Sequence, residues 1–257
     1  MILWAGISSK DVGMVVEHYP SIIIPRRKQE VQQVPGRNGD IILYQDAYEN
    51  YEQSYQVFLD AKSKGGLQKV IPKLSDWLLG HSGYQRLEDS YFPDVYRMAY
   101  YTGGVEFISI FNEYGAGTLT FNCAPEKYYK MGERPIKLTN QQLISNPTLF
   151  PAKPLITLNV DGRQQRIYFH HERKASDSGL IIEDEDPYLE INPSNVSYSL
   201  SGIVQIDTKD HLMTHDYGVY NTHVAGLFDN MMLKGKTTIY WDSGISNVSI
   251  IPRWWTI

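Results

Sequence analysis

Histidines, one cysteine and clusters of carboxylates are the residues of this chain that could do chemistry. His211 and His215, in "HLMTHD", stand four apart, the spacing zinc proteases use on a helix. The position after the first histidine holds Leu212 instead of glutamate, and the local pattern is that of a strand. On a strand His211, Met213 and His215 share one face, which offers at most a weak metal site. His170 and His171 are adjacent, so a strand turns them to opposite sides and they chelate poorly. The acidic run from Glu183 to Asp186, followed by Pro187, lacks the glycine and spaced ligands of a calcium loop and reads as a solvated turn. Cys123 alternates with Phe121 and is expected as a small buried residue, not a nucleophile. There is no G-x-S-x-G elbow and no Gly-rich phosphate loop after a strand. A carboxylate pair for glycoside hydrolysis need only meet in space, and nothing in the sequence singles one out. The expectation is therefore no enzyme: no catalytic, cofactor-binding or metal residues, and no cofactor.

The elements that would hold such groups are bounded first by composition. At 257 residues the chain is one large domain or two ordinary ones. Its 42% hydrophobic and 21% charged content is that of a folded protein. Tyrosine outnumbers phenylalanine 19 to 8, which suits half-buried sheets and interfaces where a ring is covered and its hydroxyl stays wet. A formal net charge of −5 gives no electrostatic footprint for nucleic acid, and Arg26-Arg27-Lys28 reads as a strand edge or loop. A single cysteine excludes an intrachain disulfide. No run approaches the ~18 apolar residues of a membrane span, and Met1–Asp11 lacks the basic start and apolar run of a signal peptide. The expectation is a reducing compartment, with the sequons at Asn195 and Asn247 as chance matches.

Most of the chain reads as short strands between turns. "QEVQQVPGRNGDIILYQ" predicts a hairpin with a long connection at Pro35-Gly36 and Asn38-Gly39. "YTGGVEFISIF" and "GAGTLTFNCA" predict a second pair, with Val105, Phe107 and Ile108–Ile110 on the core side against Leu119 and Phe121. Helical spacing of Leu67, Val70, Ile71, Leu74 and Leu78 predicts one helix. Pro72 is tolerable only in a first turn, so the helix is placed from Lys69 to Gly80, plugging an end or face of a sheet. Pro147, Pro151 and Pro154 mark an interdomain linker. After it, Asp161-Gly162 between alternating runs predicts a hairpin, and "SGLIIEDED", "VQIDTKDHLMTH" and "KTTIYWDSGISNVSIIPRWWTI" complete an antiparallel sandwich. Pro252 should end the strand before it. Beyond it, Trp254 and Trp255 must face opposite ways: one ring in a core, the other over the sheet's far face or a domain junction, steadied by the Arg253 stem.

In order along the chain, "PGRNGDIILYQDAYENYE", the helix ending "WLLG", "GYQRLEDSYFPDVYRMAYY", "AGTLTFNCAPEKYY", "SNPTLFPAKPLITLNVDG", "GIVQIDTKDHLM" and "KGKTTIYWDSGISNVSIIPRWWTI" resemble the distal tail proteins of siphophages that infect Gram-positive bacteria. The resemblance covers essentially the whole chain; it departs at Met232, where a proline is expected before Leu233. It implies a mainly β protein in two parts. Residues 1–145 would be an N-terminal ring-forming domain, a β-barrel-like sheet with one helix, and residues 146–257 a C-terminal galectin-like antiparallel β-sandwich. It also implies a homo-hexamer, single or as stacked rings, located at the virion tail tip after synthesis in the host cytoplasm. Its partners would be the tail tube protein, the tail-associated protein and, in some phages, receptor-binding proteins, with DNA passing through without stable binding and no membrane contact. A rival reading is a carbohydrate-binding module touching the host wall, although Trp241-Asp242 has no H-x-N-P-R type cluster to go with it. A wall-polymer hydrolase is the third class, and the residues above offer it nothing.

Overall fold

The computed structural model describes residues 1–111, 113–171, 186–216 and 218–257, which group into two compact units, Met1–Lys127 with Ile257 and Tyr128–Thr256. The first unit contains β1 (Ile2–Trp4), β2 (Met14–Val16), β3 (Arg27–Gln32), β4 (Ile41–Tyr48), β5 (Tyr51–Asp60), the helix α1 (Leu67–Leu79), β6 (Gln85–Asp89), β7 (Val95–Tyr101), β8 (Ile108–Ile110) and most of β9 (Tyr114–Tyr129). Its large sheet runs β1-β6-β7-β9-β5-β2, with β8 also paired to β9, while β3 and β4 form a separate two-stranded hairpin. Strict alternation in β5 buries Tyr51, Gln53, Tyr55, Val57 and Leu59 and exposes Glu52, Ser54, Gln56 and Asp60. Leu119 and Phe121 of β9 answer from the core side, as expected. The partner segment differs. Only Ile108–Ile110 is a strand, and Ile108 is 69% exposed, because Gly103 and Gly104 at positive φ break the alternation after β7. Val105 and Phe107 do pack on the core.

The helix α1 starts at Leu67, not Lys69, and stops at Leu79. Burying Leu67 and Val70 requires the earlier start, and Gly66, at φ 95, supplies a backbone turn unsuited to other residues. Pro72 consequently sits in the second turn and forgoes one helical hydrogen bond. The buried face ends in Trp77, whose indole N–H donates to the Trp4 carbonyl at 3.1 Å. Beside this apolar core lies a buried ion pair. Asp89 Oδ2 accepts from Arg97 Nη1 at 2.8 Å and from the Tyr55 hydroxyl at 3.0 Å. Asp89 Oδ1 accepts the backbone N–H groups of Tyr91 and Phe92, both at 2.9 Å, and Arg97 Nε donates to the Tyr51 hydroxyl at 3.1 Å. Both charges are hydrogen-bonded as well as paired, the condition under which a buried ion pair persists. Burial and the Asp89 charge push the Tyr55 hydroxyl well above the phenol range.

The second unit is a sandwich of β10 (Gln142–Ser145), β11 (Leu155–Asp161), β12 (Gln165–His171), β13 (Tyr188–Ile191), β14 (Ser201–Asp207), β15 (Leu212–His215), β16 (Lys236–Trp241), β17 (Ser246–Ile251) and β18 (Trp255–Thr256). One sheet contains β17-β11-β14-β15 and the other β10-β16-β12-β13, each with short flanking strands. Three expectations change here. The junction falls after Lys127 rather than Ser145, because Leu138 and Ile144 already belong to the second core. The proline segment is no linker: the Asn146 amide donates to the Phe150 and Leu233 carbonyls at 2.8 Å each, and Ala152 bridges Leu233. Met232 stands between buried Met231 and Leu233. Nor is Asp161-Gly162 a hairpin turn, since β11 and β12 lie in opposite sheets. Ile156, Leu158 and Val160 on one strand, and Ile167 and Phe169 on the next, enter the same core from opposite sheets. Alternation is identical for two ladder partners and for two facing strands, so the pattern could not separate them. Of "SGLIIEDED", residues 178–185 lie outside the described residues.

β17 ends at Ile251, as Pro252 requires, and Arg253 then turns at φ 59. Trp254 is 3% exposed in the core, where its backbone lies so close to Gly132 that a Cβ there would meet Trp254 N at 2.4 Å. Trp255 is half-buried, with its ring 4.6 Å from Phe150 and its indole N–H donating to the Pro151 carbonyl at 2.9 Å. The Arg253 guanidinium, rather than its stem, does the steadying. It makes two 2.7 Å bonds to Asp207.

Candidate assembly surface

The residues singled out for chemistry do not converge. His211 lies outside β15 at φ 55 and meets Asp229 Oδ1 at 3.2 Å, while His215 Nε2 meets the Ser201 carbonyl at 2.9 Å. Among the described residues, no group of three or more His, Cys, Asp or Glu side chains is placed to hold a metal ion. His170 faces Asp186 at 2.8 Å and His171 faces Thr237 Oγ1 at 3.1 Å. Of the acidic run, Glu183, Asp184 and Glu185 lie outside the described residues. Cys123 is buried, and that burial pushes its thiol up to about 12.

The saccharide reading looks for open ring faces beside polar groups. Tyr168, Tyr188 and Tyr240 stand in cross-strand register on β12, β13 and β16. However, Tyr168 stacks on Tyr240 with centroids 4.6 Å apart, and Arg166 lies over Tyr188 while pairing with Glu190. Asp186 takes both His170 and the Tyr240 hydroxyl, and Asp242 accepts the Arg166 backbone N–H. The rings and charges of this face engage one another.

The β3–β4 arm is different. Every residue of β3 is exposed, and so are Ile42 to Asp46 of β4. Val31 pairs with Ile42 and Gln29 with Tyr44, so Val31, Ile42 and Tyr44 share one side, at 50%, 45% and 58% exposure. Leu43, on the other side, is 49% exposed. A two-stranded hairpin is marginal in water by itself, and this one has no core on either side. Its root is closed by the Glu49 N–H donating to the Arg26 carbonyl at 2.8 Å and by the Arg27 guanidinium near the Tyr44 and Tyr48 rings. The sequence predicted the hairpin but not its bareness. The one available signal was the polar run of β3 opposite "IILY".

The outer face of the large sheet has a distinct chemistry. Ser54 faces Thr120, with the two hydroxyls 2.9 Å apart, Gln56 faces Thr118, and Glu52 faces Asn122. Hydroxyls and amides occupy positions where a solvated sheet commonly carries lysine.

Residues 15–123, within the first unit, match the family model described as the phage tail protein RIFT-related domain. The whole chain has the fold of the Dit hub protein of phage SPP1, described as a paradigm of the hub adsorption apparatus in phages infecting Gram-positive hosts. The match covers 97% of both chains with a TM-score of 0.69 and 13% identity. A looser likeness joins 93% of this chain to 89% of a chain in the phage p2 baseplate, with a TM-score of 0.45 and 10% identity. No curated protein sequence matches.

Proposed function

We propose that this chain is the structural hub of a phage tail tip. In this reading it forms a homo-hexameric ring, single or stacked, that joins the tail tube to the tail-associated protein and lets DNA through. The observation that carries the reading is the bare β3–β4 arm, with Val31, Ile42 and Tyr44 exposed on one side and Leu43 on the other. An arm with exposed apolar residues on both sides is stable only when covered, and the same contact repeated head to tail closes a ring. The hydroxyl and amide face suits passage, since cationic linings hold phosphates strongly. Among the described residues no helix is long and apolar enough to cross a membrane.

Light scattering across micromolar concentrations tests the assembly. The expected result is a hexamer or a double ring for the full chain. A variant in which two glycines join Arg26 to Glu49 in place of the arm should be a monomer with unchanged circular dichroism. A full chain that remains monomeric, alone and with its tail tube protein, would overturn the ring. Tight DNA retention in low-salt gel shifts would overturn the passage role.

A further inference from the structure

The connection between β3 and β4, residues 33–40, carries a chemistry that assembly does not use. It turns first at Pro35-Gly36, where the Arg37 N–H donates to the Val34 carbonyl at 3.2 Å and Gly36 stands at φ 80. That is the geometry of a type II turn, which asks for glycine in its third place. Asn38 and Gly39 follow, both exposed, and Gly39 is again left-handed at φ 83. Among the described residues, neither the Asn38 side chain nor the Gly39 N–H has a hydrogen-bond partner. A Cβ added at Gly39 would meet nothing within 4 Å.

The side-chain amide carbon of an asparagine lies one ring closure away from the next backbone nitrogen. Closure needs an unheld amide, a nitrogen outside any ladder, and room for the two to meet. Glycine supplies the room, since it has no Cβ to obstruct the approach. An exposed loop tip supplies the freedom to rotate into an attacking geometry. No other asparagine of the chain precedes glycine. Asn146 and Asn192 precede prolines, which have no N–H, and their amides are held by the Leu233 and Leu200 carbonyls at 2.8 Å. Asn50 precedes Tyr51 at the start of β5 and donates to Tyr84 and Asn122. Asp161-Gly162 has the glycine but not the freedom. Its carboxylate accepts the Arg163 backbone N–H at 3.1 Å and the Arg163 Nε at 2.8 Å.

We propose that Asn38 is a site of spontaneous deamidation, a slow and one-way charge switch at the tip of the β3–β4 arm. The Gly39 nitrogen, having lost its proton to hydroxide, attacks Asn38 Cγ. The bond from Cγ to the side-chain nitrogen breaks, ammonia leaves, and a cyclic succinimide closes. Water then opens the ring at either carbonyl. One opening gives aspartate; the other gives isoaspartate, in which the main chain runs through the former side-chain carbon. Nothing is oxidised or reduced. Either product puts a carboxylate where a neutral amide stood. Between Arg27 and Asp46 the arm is formally neutral, with Arg27, Lys28 and Arg37 against Glu30, Asp40 and Asp46. The converted arm is therefore acidic.

Peptide mass spectrometry of the full-length chain, sampled over several weeks in mildly alkaline buffer, reads the reaction. The expected result is a mass gain equal to exchange of an amide for an acid, at Asn38 before any other asparagine. Isoelectric focusing of the intact chain should show a matching acidic band, and enzymatic methylation of isoaspartyl carboxyls should label the same peptide. Asn38→Gln keeps charge and exposure but displaces the reacting carbonyl by a methylene. It should slow conversion about 100-fold, the order lost when reacting atoms are misplaced by an ångström. Circular dichroism checks that both chains are folded throughout. Retention of the amide at Asn38 to the end of the incubation overturns the proposal. So does an Asn38→Gln chain that acidifies at the wild-type rate. An acidic band without isoaspartyl label at this peptide would mean direct hydrolysis, and it overturns the ring-closure route and the role given to Gly39.

Discussion

The Asp89–Arg97 pair of the first unit and the Asp207–Arg253 pair of the second differ in what surrounds them. Asp89–Arg97 has side chains 0% and 3% exposed, while Asp207–Arg253 has 18% and 27%. The first is sealed among Tyr51, Tyr55 and a backbone turn, so removing either partner strands a charge where water cannot reach. The second sits at the surface of the sandwich, where water can replace whichever partner is lost. The same chemistry therefore acts as a structural necessity in one place and as a clasp in the other.

The largest expected effect is at the buried pair. Arg97→Leu should destabilise the first unit by ~3–5 kcal/mol in urea denaturation, because Asp89 loses its counter-ion without gaining solvent. If Arg97→Leu costs no more than Arg253→Leu, the contrast between the pairs collapses. In the second unit, Trp254→Ala should cost ~3–5 kcal/mol as a core truncation. Trp255→Ala should cost visibly less, since its ring is only half-buried; equal losses would show that both rings are core. Arg253→Leu should cost about 1.5–3 kcal/mol, the range for hydrogen bonds to a charged group.

The Asp207–Arg253 pair should also carry a pH signature. Burial raises the Asp207 carboxyl, but Arg253 and the backbone N–H groups of Asp210 and Lys209 outweigh it and hold the group below the usual range. A depressed folded pKa means that the unfolded chain binds the proton first. The contribution is then fully present above the unfolded value of ~3.9 and disappears as pH falls through the folded one. Asp207→Asn should flatten the stability profile below that point, and an unchanged acid slope would assign the loss elsewhere. The smallest effect is on Cys123. With its thiol pushed up to about 12, it should ignore a thiol reagent at pH 8 until the first unit opens. Arg97→Leu should speed that reaction and Arg253→Leu should not, so equal acceleration would show that the two units open together.

What could be read from the residues followed burial with a single period. The alternation of β9 was legible, as were the helical stripe of α1 and the strand end at Pro252. The Asp89–Arg97 network was not, because two charged residues eight apart on a hairpin look like ordinary surface. The hint was phase: Arg97 alternates with Ala99, which is buried. The two-sheet placement of β11 and β12 was hidden because facing strands and paired strands share one pattern. The row of Val15, Phe58, Ala116 and Ile108 across the large sheet was hidden for another reason: it comes from four separate strands, and only the register brings it together.

The turn at Asp161-Gly162 has a consequence for time as well as space. Because it carries the chain from one sheet to the other, its two flanking strands cannot begin by zipping to each other. β11 must instead find Ser201–Asp207 and Ser246–Ile251, and β12 must find Tyr188–Ile191 and Lys236–Trp241. Closing such loops costs entropy before any ladder rewards it, and a topology of distant pairings folds in milliseconds to seconds rather than microseconds. During that interval the strands have open edges, so the sandwich is the part of the molecule most exposed to mispairing while the chain is being made.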